Sequence, residues 1–179
     1  MLLSIQQRYI LDTLRKLRSV RADQLLALTR GKFHPQGIEI SERRMEAMLR
    51  QLRNFSNDLR RDGELIYLAG AQPDSRHLEA LDVMLELSQG TPGSFGCDHA
   101  PPPFLLRFSV KADGPYFAVG MISGAGGEHL PWLQRGGPGR VIWISDSGTP
   151  PDGLSLPSGH FFAVRRNDGT HRFYGSTEP

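Results

Sequence analysis

Apolar residues recur through the first seventy positions at helical spacing. Between Ile5 and Leu17, Tyr9, Ile10, Leu14 and Leu17 fall on one face at a period of about 3.6 residues. Ser19-Val20 interrupts the pattern, and Val20 to Leu28 predicts a short second helix with Leu25, Leu26 and Leu28 inward. Thr29 to Ile40 carries Gly31, Pro35 and Gly37 and reads as a connection. Ser41 stands where an N-cap belongs, and Glu42 sits in the first turn against the helix dipole. The third helix is predicted from Glu42 to about Asn54, with Met45, Met48, Leu49 and Leu52 as its core face. Arg43, Ala47, Arg50 and Asn54 share another face, flanked by Arg44 and Arg53. Asp62-Gly63, between Leu59–Arg61 and Glu64–Leu68, predicts a hairpin.

After a break at Ala71-Gln72-Pro73-Asp74 the pattern changes. Ser75 to Leu87 is helical, with Leu78, Leu81, Met84 and Leu85 to one side, which leaves Glu79, Asp82 and Glu86 as a solvated face. Gly90 to Pro103 reads as a Gly/Pro-rich loop holding Cys97, Asp98 and His99. Strands follow at Phe104–Val110 and Tyr116–Ile122, joined across Asp113-Gly114. Ser123 to Gly127 leads into a short helix or turn near Leu130–Leu133. The continuous run Val141-Ile142-Trp143-Ile144 predicts a strand buried on both faces. His160–Arg166 and Thr170–Tyr174 close the pattern as a hairpin across Asn167-Asp168-Gly169. The expected class is α+β, divided into 1–70 and 74–179.

Charge sharpens the division. The chain has 179 residues and a net charge of +2, but residues 1–70 hold 13 Lys and Arg against 8 Asp and Glu. The remainder holds 8 against 11. A first half facing a polyanion and a neutral or acidic second half fit that asymmetry. No apolar run approaches the roughly 18 residues that would cross a bilayer. The charged start is unlike a secretory signal, and one cysteine cannot form an internal disulfide, so a cytoplasmic protein is expected.

Helix, helix, turn, helix, hairpin is the order of a winged helix-turn-helix. A helix fits the major groove with its N-terminal part toward base edges, and arginine can bond guanine bidentately. The expected DNA-binding residues on and beside the third helix are Ser41, Arg43, Arg44, Ala47 and Arg50. Arg60 and Arg61 on the hairpin and Lys32 in the preceding loop complete the set. One feature departs from a compact motif: twelve residues separate Leu28 from Ser41, where about 3–4 are usual.

The second half offers no clear catalytic set. Gly124–Gly127 lacks the third glycine of a dinucleotide loop, where His129 stands, and no Lys-Ser/Thr follows for a P-loop. Cys97, Asp98, His99, His129, His160 and His171 lack zinc-site spacing. Neither Tyr116–Ile122 nor Val141–Ile144 carries the acids of a metal-dependent nuclease. Catalysis, metals and cofactors are therefore not expected.

Several segments together resemble a family. Ile40-Ser41-Glu42-Arg43, Leu49-Arg50-Gln51-Leu52, Ala80–Leu87, Phe104–Phe108, Val141–Ile144 and the hairpin ending in Phe173-Tyr174 are similar to bacterial winged-helix proteins of plasmids and conjugative elements, akin to the replication-relaxation proteins. The resemblance implies an N-terminal DNA-binding winged helix and a small mixed α/β domain like a nuclease fold without its active site. It also implies a role in transcription, replication or transfer of a mobile element. Double-stranded DNA is the expected partner. The second half would serve a homodimer or a protein partner, since operators are usually read as paired half-sites. The alternative expectations are a protein–protein adaptor built on the same helices and a remnant nuclease-like protein.

Overall fold

Ser4 starts the first helix by a reciprocal cap. Its hydroxyl accepts from the Gln7 amide at 3.2 Å, and its own amide donates to Gln7 Oε1 at 2.9 Å. Helix α1 (Ile5–Leu17) buries Ile10, Leu14 and Leu17 completely. Arg18 ends it at a positive φ of 65° with ψ −43°, and turns the chain into strand β1 (Ser19–Arg21). Helix α2 (Ala22–Phe33) follows, with the Gln24 side chain accepting from the Arg21 amide at 3.0 Å. Helix α3 (Glu42–Phe55) is capped by Ser41, whose hydroxyl accepts from the Arg44 amide at 3.2 Å. Met45, Met48, Leu49 and Leu52 are buried along it, each contributing about 1.5–3 kcal/mol of transfer free energy. Strands β2 (Leu59–Asp62) and β3 (Leu65–Leu68) form the hairpin, with Gly63 at φ 56° in its two-residue turn. β1 pairs antiparallel with β3, giving a three-stranded sheet in the order β1-β3-β2.

Helix α4 (Ser75–Ser88), capped by Asp74, opens the second half. Six strands follow: β4 (Ser94–Gly96), β5 (Phe104–Ser109), β6 (Tyr116–Ile122), β7 (Arg140–Ser145), β8 (Phe161–Arg165) and β9 (His171–Gly175). They lie side by side in chain order. β6, β7 and β8 run parallel and the outer pairs antiparallel. The computed structural model describes residues 2–98, 100, 102–123, 139–151 and 156–175. The class is α+β, with four α-helices and two sheets among the described residues. No helix among them is long and apolar enough to cross a membrane.

One face of the larger sheet, through Leu106, Phe108, Val119, Ile142, Ile144 and Ala163, shares a continuous apolar cluster with α4 and with the helices of the first half. A second cluster on the opposite face centres on Trp143, with Phe104, Ile122, Val141, Leu156 and Phe162. Polar ties cross the same junction. Arg21 Nη2 meets Asp82 Oδ1 at 2.6 Å, and Gln24 Nε2 donates to Asp82 Oδ1 at 2.8 Å and to the Leu78 carbonyl at 2.7 Å. The Cys97 amide donates to the Lys16 carbonyl at 3.0 Å.

Four expectations change. Ser19-Val20 is a strand, held by Tyr67 and Ile66 of β3. The second helix runs to Phe33, because Gly31 is a packing glycine inside it: a Cβ there would lie 2.0 Å from the Gly90 carbonyl oxygen. A 3-10 turn, His34–Gln36, follows directly, so the connection to α3 is shorter than the twelve residues suggested. The loop before β5 contains β4, paired with Phe108 and its neighbours. The acids of α4 are not a solvated face, since Asp82 binds Arg21 and Gln24 while Glu79 and Glu86 bind His171. Gly124–Gly127, His129, the turn near Leu130–Leu133 and His99 lie outside the described residues.

Candidate nucleic-acid interface

Helix α3 presents its polar side beside the hairpin. Arg43, Arg44, Arg50 and Arg53 are exposed on it, and Ala47 is half-buried between them. At about 1.5 Å of rise per residue, Arg43 and Arg50 stand some 10 Å apart along the axis. They therefore belong to different ends of the surface. At the first end Arg44 Nη1 donates to the Glu39 carbonyl at 3.1 Å, and Ser41 is committed to its capping bond. This end is also acidic. Asp23, Glu42, Glu46 and Glu64 gather with Arg61 around a cleft of about 350 Å³ between α2, α3 and the hairpin.

The second end is basic. Arg50, Arg53 and Asn54 from α3 meet Asn57, Leu59 and Arg60 from the start of the hairpin around a depression of about 300 Å³. Arg60 is oriented by a bond from Nη1 to the Asn57 carbonyl at 2.5 Å. None of the three arginines forms an ion pair among the described residues, although Glu46 lies close enough to feel the charge of Arg50. Three guanidiniums and two side-chain amides around one depression supply many donors and no carboxylate, which is the chemistry that takes a phosphate.

The expected residues thus separate. Arg50 and Arg60 come together. Arg61 turns back to α3, pairing with Glu46 Oε2 at 2.5 Å and donating to the Gly63 carbonyl at 2.9 Å. That bond holds the Glu46 carboxyl below the usual carboxylate range. Lys32 is exposed on the last turn of α2, not in a loop. Arg53, Asn54 and Asn57 are not among the expected contacts. Arg53 was legible as a flank of the arginine face, whereas Asn57 gains meaning only once the hairpin folds against α3.

Elsewhere, His77 lies 3.7 Å from Cys97 Sγ. Burial, with Asp98 nearby, pushes the thiol up to about 12, and burial lowers the His77 imidazole. A neutral thiol beside a neutral ring lacks the ion pair that activates a cysteine nucleophile. No three His, Cys, Asp or Glu among the described residues stand together as a metal site.

His171 is the other notable group. Its side chain is fully buried. Nδ1 lies 2.8 Å from Glu86 Oε1 and Nε2 lies 3.3 Å from Glu79 Oε1, while the backbone amide donates to Glu86 Oε2 at 2.9 Å. Burial opposes a charge on the ring, but the two glutamates outweigh it and the pKa is raised. The stabilisation is therefore fully present below the ordinary imidazole value of about 6.5 and lost as pH rises through the higher folded value. Urea unfolding midpoints measured at about pH 6 and about pH 9 should show wild type losing more stability than His171→Gln over that interval. Parallel loss in both proteins would show that the imidazolium contributes nothing.

Comparison of the chain with protein-family models, with curated proteins and with solved structures finds no match.

Proposed function

We propose that the protein is a non-catalytic regulator that binds double-stranded DNA through α3 and the β2–β3 hairpin. The observation that carries the reading is the convergence of Arg50, Arg53 and Arg60 with Asn54 and Asn57. The element order α1-β1-α2-α3-β2-β3, with the sheet order β1-β3-β2, supports a winged helix for residues 1–70. The phosphate backbone then crosses the C-terminal half of α3 and the base of the hairpin, with the exposed face that carries Arg50 and Asn54 toward the groove. The resemblance to plasmid and conjugative-element proteins puts the regulator on a mobile element. In this reading the second half joins two copies or a partner protein.

Fluorescence anisotropy with duplex DNA, run from about 50 to 200 mM salt, tests the reading. The variant Arg50→Ala/Arg53→Ala/Arg60→Ala should bind far more weakly, with a salt slope smaller by about 3. Binding equal to wild type would end the assignment. The acidic cleft at the other end of α3 favours a second reading, an adaptor for a basic protein surface. That reading expects no DNA affinity beyond that of any weakly basic protein and no sensitivity to these three arginines.

A further inference from the structure

A cavity of about 910 Å³ lies at the seam between the two halves. Three segments build it: the end of α2 (Ala27, Arg30, Gly31), the link to α3 (Ile38 to Ser41), and the end of α4 with the two residues after it (Leu85, Glu86, Gln89, Gly90). We propose that it binds a small organic anion, a carboxylate or sulfonate with an apolar body, using Arg30 as the counter-ion.

The shape and lining argue for a ligand. The volume is that of a site for a drug-sized molecule, and such sites combine apolar walls with a few placed polar groups. Ala27, Ile38, Ile40 and Leu85 supply the apolar wall. The seam is held open by backbone, because the Gly31 face of α2 already touches the Gly90 carbonyl and the two helices cannot slide closer.

The charge argues for an anion. Arg30 Nε donates to the Ile40 carbonyl at 2.8 Å, which fixes the guanidinium at the wall, and Arg30 makes no ion pair with a described residue. His34 also lines the cavity and adds an imidazole. Of the two acids in the lining, Glu86 has both oxygens committed to His171. Glu39 is exposed at the link. Ser41, the cap of α3, is part of the wall. An occupant therefore touches the residue that fixes the start of that helix. Any effect of the ligand on DNA rests on the reading above, but its binding does not.

Titration of the full chain with 8-anilinonaphthalene-1-sulfonate, without DNA, tests the proposal. Fluorescence should saturate at one equivalent, and decanoate should displace the dye while decanol does not. Arg30→Gln should weaken the dye and decanoate about tenfold or more, the scale of one hydrogen bond to a charged group, and Arg30→Lys should recover most of it. Ala27→Trp, which fills the space, should abolish binding. Should that variant fail to fold, the two Arg30 variants decide. Absence of saturation, indifference to Arg30→Gln, or equal displacement by decanol would overturn the proposal. Because no nucleic acid is present, a negative result here leaves the DNA reading to its own test.

Discussion

Trp143→Ala is expected to lower the free energy of unfolding by about 3–5 kcal/mol. The indole lies on β7, between the parallel neighbours β6 and β8, and is fully buried. Its six-membered ring packs over Gly120 of β6, and the Phe104 ring lies 5.4 Å away, tilted by 38°. Nothing on three adjacent strands can collapse into the space without breaking sheet pairing, so the cavity persists and its cost adds to the lost transfer free energy. Domains are held together by only about 5–15 kcal/mol, so the variant sits near the threshold of folding. Thermal unfolding by circular dichroism should show a midpoint lower by about 6–20 °C. The reciprocal change, Gly120→Ala, brings a Cβ to within 2.6 Å of Trp143 Cζ3 and should also destabilise. In the double variant the two losses should not add, because the ring that the new methyl group would strike has gone. A shift under about 2 °C for Trp143→Ala would mean that this face of the sheet is not packed as described.

The second large effect is expected at Gly31→Ala. Helix propensity alone predicts a gain, since alanine is favoured over glycine in a helix interior by about 1 kcal/mol. The packing predicts the reverse. The added carbon would lie 2.0 Å from the Gly90 oxygen and 2.9 Å from its carbon, both backbone atoms that cannot rotate away. Overpacking of a well-filled contact costs about 1–3 kcal/mol and more where backbone must shift, so the clash wins. The chain should lose about 2 kcal/mol or more net, read from chemical denaturation. Hydrogen exchange should rise at the Gly90 and Thr91 amides, which donate to the Leu85 and Ser88 carbonyls. A stabilised Gly31→Ala protein would refute the close approach of α2 to the end of α4.

What could be read from the sequence depended on whether the determining contacts were local. α3 was legible because Met45, Met48, Leu49 and Leu52 repeat at helical spacing and Ser41 caps a run that begins beside it. The hairpin was legible from Asp62-Gly63, and β7 from its unbroken apolar run. β1 was not, since three residues carry no period and their partners Leu65 to Tyr67 lie over forty positions away. Gly31 reads as part of a connection because the atom that demands a glycine there belongs to Gly90. The acids of α4 followed the same rule: their spacing is that of a wet helix face, yet Arg21 and His171, which claim them, are distant in the chain. The arginines of the candidate interface were visible as residues. Their grouping was not, because it depends on where the hairpin starts relative to the last turns of α3.

That internal use of the α4 carboxylates bears on how the molecule meets a polyelectrolyte. Asp82 is closed against Arg21, and Glu79 and Glu86 against the His171 ring. Paired with Arg21, Asp82 acts at a distance as part of a small dipole, whose field falls off faster than that of a lone charge, whereas two glutamates around one imidazole keep a net negative charge. At physiological ionic strength the field is screened within about 8 Å in any case. On the proposed DNA reading, Asp82 repels an approaching duplex less than a lone carboxylate in its place would. On the same reading its orientation on approach is set by the guanidiniums of Arg50, Arg53 and Arg60 at the far end of α3.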